Sequence, residues 1–301
     1  MIQRVQNVTE SAEGTFLGLP ESEDVADVAI LSVPYELTTS YGQGTSAGPE
    51  AALRASAQVE LYDPLLPEDL PCGFTLHTAQ PWDGVGDNLQ EQLEGITNYV
   101  SQFQSSFPII LGGEHGMLPA ILKAVSQHVD LSEMTLVQID AHADLRDELD
   151  GEPNSHACAA RRSLDLGVGK ILQIGIRAFA REEMEFAAED VRIESWLARD
   201  VLNPCGGEAK WLDWLNTLSE IEGPVWLTLD IDGLDAAYVP TTGTPVPGGL
   251  AFWQVVETIE TIASAPAANW LGADVNEIVP DPTRHVTEFT TAMLAAKIMA
   301  A

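Results

Sequence analysis

The sequence predicts an α/β fold in which a parallel sheet is covered by helices on both faces. Three features predict it. Short apolar, β-rich runs recur along the chain, bounded by glycine or charge, as expected of strands buried on both sides. Segments with helical spacing separate these runs, the pattern of βαβ units. Several runs end abruptly in Asp, Glu or His, which puts polar chemistry beyond the carboxyl ends of strands, where ligand sites form in such sheets. The 301 residues are read as one domain, 1–301, with residues 1–25 a polar N-terminal arm.

In chain order, the first predicted strand is 26–34. A glycine-rich loop over 40–49 follows, and Pro49 is placed to open a helix over 50–56. The loop glycines are not at phosphate-loop spacing and no Lys-Ser/Thr follows, which excludes nucleotide binding there. Residues 64–87 form a long Pro-rich connection. Leu89, Leu93, Ile96, Val100 and Phe103 then recur at helical spacing. A strand over 107–111 leads into Gly112-Gly113-Glu114-His115, where two glycines permit a tight turn, and a helix is predicted over 117–129. The strand 134–139 ends in Asp140-Ala141-His142-Ala143-Asp144. Further strands are predicted over 170–176, 225–230 and 270–275, with helices over 181–188, 210–221, 253–265 and 287–299.

Composition narrows the function. The apolar fraction of 45% is ample for a large core. No run of 18 or more residues is apolar enough to cross a bilayer, and the first residues lack the apolar stretch of a secretory signal. Cys72, Cys158 and Cys205 are widely spaced with no CxxC pair, which argues against a disulfide framework or structural zinc and fits the cytoplasm. The formal charge of −32 argues against nucleic acid and anionic membranes as partners. It suits small cations, although solubility or salt adaptation of the surface explains most of it.

The motifs carry the chemistry. Alternate residues of an extended segment share a face, so Asp140, His142 and Asp144 can converge, as can Asp230 and Asp232. With His115, three strand ends would gather four carboxylates and two imidazoles. That is too much charge to assemble without cations. Four negative charges balance two divalent ions, and carboxylate with imidazole suits Mn²⁺ better than a thiolate-preferring metal. The pattern predicts a two-metal hydrolase. Each piece alone has a plain structural explanation, since Asp after a strand often caps a turn or helix and His beside a carboxylate is an ordinary pair. Their coincidence at three strand ends outweighs it. Phosphoryl transfer with Mg²⁺ is the rival reading, but it lacks a phosphate loop, and two histidines are unusual Mg²⁺ ligands.

Together with Ser155-His156-Ala157-Cys158, Asp230-Ile231-Asp232-Gly233-Leu234-Asp235, the segment 243–250 and Asp274-Val275-Asn276-Glu277, these motifs resemble the ureohydrolase family of arginases, agmatinases and related guanidino-hydrolases. The resemblance runs from about Val28 to the C-terminus. It implies a three-layer α/β/α sandwich with a central parallel sheet, the arginase/deacetylase type. It implies two Mn²⁺ per subunit on His115, Asp140, His142, Asp144, Asp230 and Asp232, and a homo-oligomer, trimer or hexamer. By the same resemblance Asp144 accepts a hydrogen bond from the attacking hydroxide, His156 shuttles a proton to the leaving amine, and Glu277 receives the guanidinium. Without it, His156 would be a helix-start His on a carbonyl and Glu277 a surface residue at a strand end. Ala236 departs from the family's usual Pro at a loop position that supplies no ligand. His77, His128 and His285 match no motif and are assigned structural or surface places; Trp196, Trp211, Trp214 and Trp226 are assigned to the core.

Substrate choice rests on departures from arginases. Arg146 stands where they resemble one another in carrying Asn, and Ala178 and Phe179 follow Gly175-Ile176-Arg177 where they place acidic residues for the α-amino group. An amino-acid head group would lose its partners, and residues 32–42 look like agmatinase. Agmatine, a small cationic guanidine cleaved to putrescine and urea, is the leading expectation. Guanidinobutyrate, whose carboxylate Arg146 could bind, or another linear guanidine comes second. A catalytically silent regulatory relative is the alternative from another class, and the complete ligand set opposes it.

Overall fold

The computed structural model describes residues 14–22, 25–84 and 86–301. Its regular elements are β1 (Val28–Val33), α1 (Gly48–Ser56), β2 (Leu76–Thr78), α2 (Leu89–Val100), β3 (Phe107–Gly112), α3 (Leu118–Val125), β4 (Thr135–Ile139), α4 (Ala159–Asp165), β5 (Lys170–Ile176), α5 (Arg181–Glu189), β6 (Ile193–Leu197), α6 (Ala198–Val201), α7 (Gly207–Ser219), β7 (Glu222–Asp230), α8 (Phe252–Ser264), β8 (Ala267–Asn276) and α9 (Val286–Ala300). The strands form one parallel sheet in the order β2-β1-β3-β8-β7-β4-β5-β6.

Strand alternation splits the core in two. On β4, Val137 and Ile139 join the cluster that also holds Leu218 of α7, Ile259 of α8 and Leu294 of α9. Leu136 points the other way, into the cluster that holds Ile96 of α2, Ile121 of α3 and Leu164 of α4. Both faces are thus covered, which is why the strands read as continuous apolar runs. The helix α9 is buried along nearly its whole length, and its apolar residues accordingly show little amphipathic pattern. The helix α2 is capped by Asn88, whose side chain accepts from the Glu91 amide.

The predicted elements agree with the observed ones to within a few residues at their ends. Four elements were not predicted. Two are the edge strands β2, inside the Pro-rich connection, and β6, which is half exposed and carries Glu194 and Ser195. The others are the short helices α4 and α6. Of the N-terminal arm, residues 1–13, 23 and 24 lie outside the described residues. The described part is packed rather than free: Phe16 and Leu17 are buried, and their amides donate to Thr78 Oγ1 and Ser56 Oγ. The chain bends at Gly113 and Glu114 before His115, but neither glycine adopts a left-handed conformation. A Cβ on Gly113 would lie 2.1 Å from the Tyr35 carbonyl oxygen, so close approach of two backbones excludes a side chain there. Among the described residues no helix is long and apolar enough to cross a membrane.

Candidate metal centre

The four central strands, β3, β8, β7 and β4, lead into the loops that carry the predicted residues. His115 follows β3, Glu277 follows β8, Asp230 and Asp232 close β7, and Asp140, His142 and Asp144 follow β4. The chain leaves the sheet at β3, returns at β4 on the other side of the gap, and fills the gap last with β7 and β8. The residues therefore meet at a switch in strand order, where two loops diverge and leave a crevice.

His115 Nδ1 lies 3.0 Å from Asp144 Oδ2, 3.3 Å from Asp140 Oδ2 and 3.7 Å from Asp230 Oδ2. His142 Nδ1 lies 3.1 Å from Asp232 Oδ2 and 3.6 Å from Asp140 Oδ1. His115, Asp140 and Asp144 form one group able to hold an ion, and Asp140, His142 and Asp232 form a second, with Asp140 common to both. Backbone amides fix the carboxylates. His142 N donates to Asp140 Oδ1 at 2.6 Å, Asp232 N to Asp230 Oδ1 at 2.9 Å, and Ala141 N to Asp232 Oδ1 at 3.0 Å.

The electrostatics are unbalanced. Burial pushes Asp144 up to about 7, helped by the charge of Asp140. Burial, then Asp232 and Asp140, push Asp230 well above the carboxylate range. Burial opposes charge on His142 too, but Asp140 and Asp232 carry its pKa up to about 11. His115 is likewise raised despite burial, by Asp140 and Asp144. Its Nδ1 is buried and, although surrounded by carboxylate oxygens, is aligned for a hydrogen bond with none of them. A ring nitrogen without an aligned partner amid carboxylate oxygens becomes a metal ligand once its proton is displaced, so these residues fit a pair of divalent ions.

Two of the functional candidates have strained backbones. Asp144 and Glu277 have φ of 53° and 66°, the left-handed region that costs a non-glycine residue roughly 1 kcal/mol or more. Burial pushes Glu277 up to about 8. Its Oε1 accepts from His115 N at 2.9 Å, which ties it to the centre, while Oε2 has no protein donor among the described residues. His156 stands at the start of α4's leading turn, as read from the sequence. Thr38 Oγ1 lies 3.3 Å from its Nδ1 and Ser40 Oγ 3.4 Å from its Nε2. Burial, then the charge of His142, lower its pKa to about 4. Thr38 is itself held by Glu114, which is fully buried and accepts from the amides of Leu37 and Thr38 and from the Thr38 hydroxyl.

The sequence reading did not single out Thr38, Ser40 or Glu114, although Glu114 lies inside a quoted motif. It also missed Arg177, whose guanidinium donates to the carbonyls of Gly175, Asp232, Gly233, Leu234 and Val246 and so pins the turn that carries Asp232. Arg146 is placed differently from the role considered for it. It faces Glu182 at 3.6 Å and Glu183 at 3.8 Å.

A model of the family described as the Arginase family matches residues 26–301. The chain is 35% identical over 285 residues to an N(1)-aminopropylagmatine ureohydrolase of Synechocystis sp., covering 91% of this chain and 88% of that protein. It is 34% identical over 274 residues to an agmatinase of Pyrococcus horikoshii, covering 89% of each. Among solved structures, the agmatine ureohydrolase of Thermoplasma volcanium superposes with a TM-score of 0.76 at 28% identity, covering 92% of this chain and 89% of that one.

Proposed function

The chain belongs to the arginase family, and from that premise we propose that it hydrolyses a linear guanidine, agmatine first, to urea and a primary amine. The observation that carries this reading is the pair of adjoining groups His115–Asp140–Asp144 and Asp140–His142–Asp232, with Asp230 3.7 Å from the unpartnered His115 Nδ1 and the Glu277 carboxylate bonded to the His115 amide. Two Mn²⁺ ions on those six residues would supply a water activated as nucleophile at neutral pH.

The protein's own residues do the rest. The free oxygen of Glu277 receives the planar guanidinium. Asp144, held in its strained conformation, accepts a hydrogen bond from the attacking oxygen and orients it. A C–O bond forms at the guanidinium carbon, and the C–N bond to the alkyl chain breaks. The leaving nitrogen needs a proton that the water has lost. His156 is neutral at pH 7 and can carry it, held by Thr38 and Ser40.

Two observations support an amine-tailed substrate. Arg146 is engaged by Glu182 and Glu183, which weakens the case for guanidinobutyrate. A cavity of about 550 Å³ is lined by Thr38 and Ser40, the two residues beside the His156 ring, and by Leu37, Leu149, Asp150 and Glu152 among others, with no Lys, Arg or His. Leucines suit a polymethylene chain and carboxylates suit its ammonium. The same two carboxylates favour a longer second substrate, N(1)-aminopropylagmatine, on which the Synechocystis relative acts by name. The family resemblance leads us to expect a homo-oligomer of three or six subunits, and the sequence an enzyme of the cytoplasm. Urea release from agmatine, aminopropylagmatine, guanidinobutyrate and arginine, with added Mn²⁺, tests the reading. An amine-tailed guanidine should exceed arginine by roughly a thousandfold in kcat/KM, because a buried head group without partners costs several kcal/mol. Arginine equalling agmatine would refute the substrate assignment.

A further inference from the structure

A line of polar side chains crosses the sheet directly beneath the ligands. Register sets Asp274 of β8 level with Thr228 of β7, Thr228 with Gln138 of β4, Gln138 with Gln173 of β5, and Gln173 with Ser195 of β6. Level residues of a parallel sheet project from one face. This row lies two residues before Asp230 and Asp140, one pleat below them. Asp274, Thr228, Gln138 and Gln173 are fully buried. Burying so many polar groups is costly unless they are paired, and the pairing follows a pattern.

Thr228 Oγ1 donates to Asp274 Oδ2 at 2.6 Å. Ser195 Oγ donates to Gln173 Oε1 at 2.9 Å, and Gln173 Nε2 donates to Gln138 Oε1 at 2.7 Å. Among the described residues no hydrogen bond joins Thr228 to Gln138, so the row divides into two limbs. Each limb ends on a different ligand. His115 Nε2 lies 2.8 Å from Thr228 Oγ1, and Gln138 Nε2 donates to Asp140 Oδ2 at 2.8 Å.

Donor counting fixes the direction of both limbs. Asp274 accepts from Trp226 Nε1, Thr228 Oγ1 and Asn276 Nδ2, so it takes the single hydroxyl proton of Thr228. Toward His115 that hydroxyl has only a lone pair left. Nε2 must then bear the ring proton, and Nδ1, the atom facing Asp140 and Asp144, is left as the donor atom for an ion. In the other limb, Gln173 Nε2 also donates to the Ala143 carbonyl at 2.7 Å. This sets the Gln173 amide, which sets the Gln138 amide, which presents N–H to Asp140.

We propose that the two limbs are separate positioning devices for two metal ions. The Asp274–Thr228 limb selects the His115 tautomer and acts on the ion held by His115, Asp140 and Asp144 alone. The Ser195–Gln173–Gln138 limb orients Asp140, which both ions share, and acts on both. The inference rests on the two-ion reading of the centre. It goes beyond the ligands, to residues that never touch an ion.

The test is equilibrium binding of Mn²⁺ alone to metal-stripped protein, followed by the electron paramagnetic resonance signal of free Mn²⁺. Wild type should bind two ions per subunit. Thr228→Val is isosteric and should weaken one ion ten- to a hundredfold while leaving the other within about threefold, and Thr228→Ser should restore it. Gln138→Leu and the more remote Gln173→Leu should weaken both ions together, by about tenfold or more. Circular dichroism checks that each variant is folded. Equal weakening of both ions by Thr228→Val, no weakening, or failure of the Ser variant to rescue would overturn the first assignment. A Gln138→Leu effect confined to one ion would overturn the second. Wild type binding fewer than two ions would instead refute the reading of the centre, and that result appears before any variant is made.

Discussion

Among the described residues, a half-buried cluster of charge on α9 and the buried one at the strand ends are built on opposite plans. On α9, Lys297 lies 2.8 Å from Asp63 and 2.6 Å from Glu260. Burial works against its charge, but the two carboxylates hold the ammonium and raise its pKa above the ordinary lysine value. At the strand ends, Asp140, Asp144, Asp230 and Asp232 have no Lys or Arg ion-pair partner among the described residues, only two histidines. There Asp144 and Asp230 are pushed up, first by burial and then by one another's neighbours. A cluster with a fixed cation stabilises the fold. A cluster whose only counter-charges are protons on two imidazoles is poised to exchange them for cations from outside, and that difference, more than the count of ligands, marks the site.

The largest effect expected from this contrast comes from paired substitutions. Asp230→Asn should abolish binding of at least one Mn²⁺ and cut activity by roughly a thousandfold or more. Because the folded-state pKa of Asp230 is raised, its charge costs stability at every pH above the ordinary carboxylate range. Metal-stripped Asp230→Asn protein should therefore melt no lower than wild type. Lys297→Met should do the reverse: Mn²⁺ stoichiometry is kept, but roughly 2–3 kcal/mol of stability is lost as two carboxylates are left without their cation, a fall of about 5 °C. Calorimetry of stripped and loaded protein reads both. If Asp230→Asn destabilised stripped protein as much as Lys297→Met does, the two clusters would not differ in kind.

Metal loading should also release protons. With His142 raised to about 11 and His115 raised as well, both rings are protonated in stripped protein at neutral pH, and an ion must displace those protons. Mn²⁺ affinity should rise with pH. Titration calorimetry in buffers of different ionisation heat should show at least roughly two protons released per subunit, from the imidazoles, with a further contribution from Asp144 and Asp230, whose pKa values are also raised. Binding without proton release would mean the imidazoles are not ligands.

A smaller effect is expected at His156. Thr38→Val removes the hydroxyl between Glu114 and the ring. A fall in kcat of roughly tenfold with little change in KM is expected, and none in a His156→Asn background. An equal loss in both backgrounds would assign Thr38 to folding alone.

The smallest effect concerns pH and Lys297. The triad's contribution is complete below the ordinary lysine pKa and fades only as pH climbs through the raised one. The stability gap between wild type and Lys297→Met should therefore be constant from pH 6 to 9 and narrow above about 10.5. A gap that closes near neutrality would point to another group.

Much of the centre was legible because each ligand set closes an apolar run, and a charge at the end of a buried strand has few bland explanations. Glu277 and His156 were legible only through motif resemblance, since nothing in their immediate sequence sets them apart from a strand-end Glu or a helix-start His. What stayed hidden is whatever depends on pairing between distant strands. Thr228, Gln138 and Gln173 each look like an isolated polar residue inside a strand, and only register shows them level with one another. Thr38 and Glu114 are 76 residues apart in the chain. The strands β2 and β6 escaped because edge strands are short or half exposed and lose the apolar signature of the centre.

The proposed ligands sit on or directly beside the sheet, whereas the walls of the cavity beside Thr38 and Ser40 come mainly from two loops, around 37–40 and 149–155, with Leu89 of α2. On the proposed function, reaction and choice of reactant are written in different parts of the chain. Loops tolerate replacement far better than strand ends do. A graft of those two segments from a relative with another substrate should therefore change what is cleaved without disturbing how. The sheet serves as a fixed reactor, and the loops as its exchangeable inlet.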